Sequence, residues 1–201
     1  TINGRDAATL KATGDEIREA TGAEVLEIVG DMTSPDDVTR LVEETVAKRG
    51  GIDVLVCNAG GPPGGTFDSF PDDQPWLDAV NLNLMSTLRL MRAASPHLDA
   101  RGGGSITNIV SISVKQPIGH LILSNTARAA VIGLAKSVSL EWAPKNIRVN
   151  NICPGSTQTD RITSMAASRA EKSGTSVEEI LADDARQIPM GRLGTPEEFA
   201  N

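Results

Sequence analysis

Residues 104–137 read GSITNIVSISVKQPIGHLILSNTARAAVIGLAKS, and the reading of this stretch decides the fold class. Its first ten residues form a short run with Ile and Val that ends in serines, the composition of a buried strand. From Leu123 onward, Ala, Val, Ile and Leu follow a polar first turn with helical period, so a long helix starts there. A strand answered by a long helix is one half of a parallel crossover.

The same grammar repeats outward from this stretch. VLEIVGD (25–31), IDVLVCNAG (52–60) and IRVNNICPG (147–155) are further apolar or β-branched runs that end in Gly, Asp or Pro. Helical periods fill 5–21, 36–49, 76–98 and 124–143; in the second, Val38, Leu41, Val42, Thr45 and Val46 share one face. Ser34 and Pro35 open that helix as a cap and a residue with no N–H to leave unpaired. Strands alternating with helices predict an α/β, doubly wound parallel sheet with helices on both faces. No repeat or linker interrupts the chain, so residues 1–201 are expected to form one domain. The polar, Ser- and Ala-rich segment 156–188 reads as weakly helical and as a cover over the site.

Composition sets the outer limits. With 201 residues, 39% hydrophobic and 22% charged, the chain can bury a real core. A net charge of -7 without clustered Lys or Arg argues against nucleic acid as a partner. The longest apolar runs, such as Ile52–Cys57, are too short to cross a bilayer, so no membrane contact and a cytoplasmic location are expected. Cys57, Cys153, His97 and His120 are scattered, and no metal is expected. The start at Thr1 and the stop inside the helix-like TPEEFAN suggest a piece of a longer protein.

In a doubly wound sheet, ligands sit beyond the carboxyl ends of the strands. That rule singles out Asp31, the CNAGG of 57–61, Ser111 with Ser113, and the PGSTQT of 154–159. Together with Asn83, the AAVIGLAKS helix and the closing MGRLGTPEE, these stretches resemble the short-chain dehydrogenase/reductase family over essentially the whole chain. The resemblance implies a Rossmann-type domain that binds NAD(P) and moves a hydride between a nicotinamide and a carbonyl or alcohol, as 3-oxoacyl reductase-like members do. It also implies that the first and last strands of the family fold lie outside these residues.

The resemblance assigns chemistry residue by residue. Asn83 and Ser111 match the family's catalytic asparagine and serine. Ser124, 13 residues after Ser111, falls on the family's tyrosine, and Arg128 falls on its lysine. AAVIGL directly after Arg128 holds that register, and the chain contains no tyrosine. A serine hydroxyl is a far weaker acid than a phenol, whose reference pKa is about 10. Arg128 keeps a positive charge that could hold a ribose or an oxyanion, but its planar fork does not replace an ammonium. The remaining proton sources are a water or His120, the latter also readable as a loop histidine facing solvent.

For the cofactor, the resemblance places INGRD after the second strand, with Gly4 at the usual acidic position and Arg5 beside it. Arg5 favours NADP over NAD, against the alternative that it is a solvated first-turn residue. Asp31 matches the residue beside the adenine; Asn58, Ala59 and Gly60 line the central cleft; Pro154, Gly155 and Thr159 match the stretch that holds the nicotinamide amide. GGPPGG at 60–65 offers no pyrophosphate fingerprint.

Two further expectations concern the sheet. Cys57 and Cys153 belong to strands two spacings apart, roughly 10 Å, beyond the ~7 Å reach of a disulfide. A gap with unpaired backbone is expected between the strands of 25–31 and 52–57, so residues 1–201 alone are not expected to be a stable cofactor-binding domain. The combined expectation is an NADP-preferring oxidoreductase with a non-standard proton donor, paired as a dimer or tetramer through helices 76–98 and 124–143. The alternative is a catalytically silent nucleotide-binding or interaction protein of the same fold.

Overall fold

Helix α1 (Ala7–Thr21) begins at Asp6, whose carboxylate accepts the Thr9 N–H at 2.7 Å. Helix α2 (Pro35–Arg49) begins at Ser34, whose hydroxyl accepts the Asp37 N–H at 3.3 Å, with the proline at its first position as the sequence predicts. It stops at Gly50, where φ is 79° and a side chain would be strained. Such local signals set these boundaries in this computed structural model, which describes residues 1–201. The residues group into two units, Thr1–Ile152 and Cys153–Asn201.

In the first unit, β1 (Ile2–Gly4), α1, β2 (Glu27–Val29), α2 and β3 (Val54–Cys57) are followed by α3 (Asp73–Val80) and α4 (Ser86–Ala100). Then come β4 (Gly104–Ile109), α5 (Ile122–Trp142) and β5 (Ile147–Ile152). Every strand pairing is parallel, β1 with β2 and β3 with β4 with β5. The fold is α/β and Rossmann-like, as the alternation predicts. β1 lies in INGRD, three residues that are too few to show any alternation, and the sequence reading placed no strand there.

The expected interruption of the sheet takes a definite form. β1–β2 and β3–β4–β5 are separate ladders, and a cavity of about 890 Å³ lined by Ile2, Asn3 and Gly4 of β1 and by Val54, Leu55 and Val56 of β3 lies between them. Val54 and Val56 are 64% and 57% exposed there. Helices α2 and α4 still join the two ladders, because Val38 and Val42 of α2 share one core with Leu90, Met91 and Leu98 of α4 and with Ile106 and Ile147 of the sheet. Cys57 sits on β3 in that core and Cys153 follows β5; β4 separates the two strands, and both thiols are free.

The helix expected over 76–98 is longer and not uniform. A wide π turn, Asn81–Met85, separates α3 from α4. The turn is stitched by side chains: Asn83 Nδ2 donates to Ala79 O at 2.8 Å, Ser86 Oγ to Leu82 O at 2.6 Å, and Thr87 Oγ1 to Asn83 O at 3.0 Å. Polar residues buried in a helix compete for its carbonyls in this way, and π turns concentrate at functional sites.

The second unit corrects one expectation about local structure. Where the sequence reads as only weakly helical, 156–188 holds α6 (Asp160–Ser173) and α7 (Val177–Arg186), and α8 (Pro196–Ala200) follows. Ala166, Ala170 and Ile180 are buried between α6 and α7, and Arg169 Nη1 donates to both carboxylate oxygens of Asp184, at 2.9 and 2.8 Å. α7 starts with a reciprocal cap between Ser176 and Glu179. The buried face is mostly alanine, which carries too little hydrophobic contrast for the pattern to stand out.

Candidate active site

The site is assembled where β3 and β4 run out. Beyond β4, Ser111 takes an extended conformation and its Oγ accepts the Ser113 N–H at 3.1 Å. That bond occupies a lone pair of the hydroxyl and leaves its proton to be donated elsewhere. Ser113 Oγ, two residues on, is buried and has no hydrogen-bond partner.

Asn83 arrives from the π turn. It is 1% exposed; Nδ2 is bonded to Ala79 O, and Oδ1 is a buried acceptor with no partner. Leaving such an atom unpaired costs about 1–3 kcal/mol, so a site that keeps one reserves it for a ligand or a water.

Arg128 lies on α5. Its Nη1 donates to Ile109 O at 3.0 Å and to Val110 O at 2.9 Å, the two carbonyls that precede Ser111. Around Gly60 the pieces converge. A Cβ built on Gly60, whose φ is 158°, would stand 2.3 Å from Arg128 Nη2 and 2.8 Å from Asn83 Oδ1. Gly60, Asn83 and Arg128 therefore lie together, with Ser111 next to Val110, whose carbonyl Arg128 holds. The guanidinium is committed to backbone oxygens, a role that the sequence reading did not assign to it. Ser124 is half-buried in the first turn of α5, one turn before Arg128.

The loop before α5 is tied down. Asn125 Nδ2 donates to Ile118 O at 2.9 Å, and Gly65 N–H donates to His120 O at 2.7 Å, joining the 60–65 loop to the α5 entry. His120 is half-buried with φ 54°. Sequence reasoning missed Asn125 and Gly65. The glycine-rich GGPPGG was the available signal, because a Cβ at Gly65 would stand 2.7 Å from the Phe70 ring.

At the other end of the cavity, Arg5 and Asp31 follow β1 and β2. The Thr33 N–H and Thr33 hydroxyl, both 2.8 Å from Asp31 Oδ1, with the Arg5 charge nearby, hold the Asp31 carboxyl below its ordinary range. Asn58, Ala59 and Gly60 line the same cavity beyond β3. Cys57 is different in kind: burial pushes its thiol up to about 12, so it is a packing residue. Pro154, Gly155 and Thr159 belong to the second unit, where Thr159 stands directly before α6 and 156–158 runs beside Gly194.

These residues fit a nicotinamide nucleotide. An open cavity is bordered by Arg5, Asp31 and Asn58–Gly60, a residue without a Cβ faces Asn83, and an orphaned acceptor is buried beside it. No group of three or more His, Cys, Asp or Glu gathers at one point, and no helix is long and apolar enough to cross a membrane.

Comparison with known proteins supports the same assignment. The short chain dehydrogenase family model matches residues 1–170. L-sorbose reductase from Gluconobacter frateurii, solved with NADPH and L-sorbose, is 32% identical with a TM-score of 0.91; the match covers 99% of this chain and 76% of that one. A variant of actinorhodin polyketide ketoreductase with NADPH is 33% identical, with a TM-score of 0.92 over 98% of this chain and 76% of that one. An NADPH-bound short chain oxidoreductase from Pseudomonas aeruginosa PAO1, described as containing an atypical catalytic center, is 31% identical with a TM-score of 0.85; coverage is 98% and 74%. Strand ends, the Asn83–Ser111 pair, the matched family model and these neighbours agree: the chain belongs to the short chain dehydrogenase family and is an oxidoreductase of that type.

Proposed function

We propose that this oxidoreductase interconverts a small carbonyl compound and its alcohol, using NADP in preference to NAD and a proton donor other than tyrosine. The single observation that carries the reading is Ser111, whose Oγ is fixed by the Ser113 N–H next to the Asn83–Gly60–Arg128 group, in a chain without tyrosine. The NADPH complexes of similar structures, together with Arg5 beside Asp31 at the β1 and β2 ends, support NADP.

When bound, the nicotinamide supplies or accepts the hydride. The chain's own residues do the rest. Arg5, Asp31, Asn58, Ala59 and Gly60 border the space for it, and the stretch of Pro154, Gly155 and Thr159 is assigned to its amide. Ser111 donates its free proton as a hydrogen bond to the substrate oxygen and so stabilises the developing alkoxide. Ser124 is too weak an acid to neutralise that alkoxide. The proton comes from water or from His120, the imidazole of the α5 entry.

The test is NADPH consumption against a panel of ketones, aldehydes and 3-oxoacyl thioesters by the full-length protein. We expect turnover with at least one class, reduced about 100-fold by Ser111→Ala with little change in NADPH affinity. Binding of NADPH without turnover would favour the second reading, a silent nucleotide-binding protein, which the commitment of the Arg128 guanidinium to two backbone carbonyls supports. In either case we propose a cytoplasmic protein that pairs as a dimer or tetramer through the α3–α4 and α5 surfaces; Leu140 of α5 is 66% exposed.

A further inference from the structure

Arg128 occupies the position where the family resemblance puts a catalytic cation, yet its geometry describes another task. One nitrogen, Nη1, donates to both Ile109 O and Val110 O. The second, Nη2, fills the space that the absent Cβ of Gly60 leaves open. The Val110 N–H is in turn bonded to Ile152 O at 2.8 Å, and the next residue is Ser111, whose Oγ takes the Ser113 N–H. The guanidinium therefore joins the end of β4, the loop after β3 and α5 at one point, at the two carbonyls that precede Ser111.

We propose that Arg128 is a positioning residue: its guanidinium clamps the end of β4 and thereby aims Ser111, and Gly60 is the glycine that makes room for it. The proposal rests on the oxidoreductase reading only for its activity arm. A cation placed to act by charge alone would be served by lysine. A clamp that needs one nitrogen on two carbonyls and another against Gly60 needs the fork. The same logic makes Gly60→Ala a second route to the same defect, because the new Cβ would meet Nη2 at 2.3 Å while the charge at position 128 stays.

The test uses full-length protein carrying Arg128→Lys, Arg128→Gln or Gly60→Ala, each first checked for a native thermal transition. Backbone hydrogen exchange at Val110 and Ser113, measured without cofactor, reads the clamp itself. We expect at least tenfold faster exchange at both amides in all three variants, with amides of α2 unchanged. In the activity arm, kcat falls at least tenfold in Arg128→Lys as in Arg128→Gln, and the NADPH dissociation constant moves less than threefold. Unchanged exchange in the three variants, or wild-type kcat in Arg128→Lys, overturns the clamp. If wild-type protein turns over no carbonyl, the function proposed above fails, and hydrogen exchange still decides the role of Arg128.

Discussion

At the scale of single residues, the proposed chemistry turns on Ser124 and Arg128 of α5. Ser124 and Arg128 stand on the first two turns of one helix, and only the second has an observed task, the bonds to Ile109 O and Val110 O. This separates two changes that family resemblance would make together. Ser124→Tyr alone adds a phenol beside an intact guanidinium, whereas Ser124→Tyr with Arg128→Lys adds the phenol and removes the fork. We expect the single change to raise kcat at least tenfold and the pair to give less than the single change, measured with the best substrate of the panel. The family resemblance assigns roles to 83, 111, 124 and 128 because its motifs hang on spacing along the chain. The packing of Arg128 against Gly60 was not legible in the sequence, because it joins positions 68 residues apart and depends on a side chain's path through space.

At the scale of elements, the parallel ladder β3–β4–β5 is the rigid part of the site. Its tightest point is the entry to β4. A Cβ on Gly104 would stand 2.6 Å from Asp53 O, a backbone atom that also accepts the Ser105 N–H at 3.0 Å, and 2.5 Å from a Leu98 methyl. Gly104→Ala must move a strand or lose that bond; it should destabilise the protein by about 1–3 kcal/mol, read as a shifted denaturant midpoint at constant slope. Helices α1, α2 and α5 and strands β2 to β5 were readable from capping residues and apolar period. The elements that escaped did so for physical reasons. β1 is three residues long, the π turn is specified by side-chain bonds to carbonyls rather than by hydrophobicity, and α6 buries alanines, which resemble surface residues in composition.

At the scale of the whole molecule, the cavity between β1 and β3 interrupts the sheet of the first unit. Both strands present an edge that no ladder uses, and Val54 and Val56 are exposed along one of them. Cooperativity in a parallel sheet runs through its ladder, and here the two ladders are joined by helix packing and by the bonds of Asn81 Nδ2 and Arg89 Nη1 to Thr33 O. Residues 1–201 on their own should therefore melt broadly rather than in one step, with the calorimetric enthalpy exceeding the van't Hoff value; a single two-state transition with tight NADPH binding would contradict this.

The placement of the polar groups also bears on how information crosses the site. Arg5 and Asp31 follow β1 and β2, Ser111 follows β4, and the hydrogen bonds of Asp31 and of Ser111 have no residue in common. We therefore expect selection of the nucleotide and handling of the substrate oxygen to act independently. Arg5→Ala and Ser111→Ala should combine additively, with log(kcat/KM) of the double variant matching the sum of the single effects to within about 0.5 kcal/mol. Nucleotide preference could then be altered in this protein without retuning its chemistry.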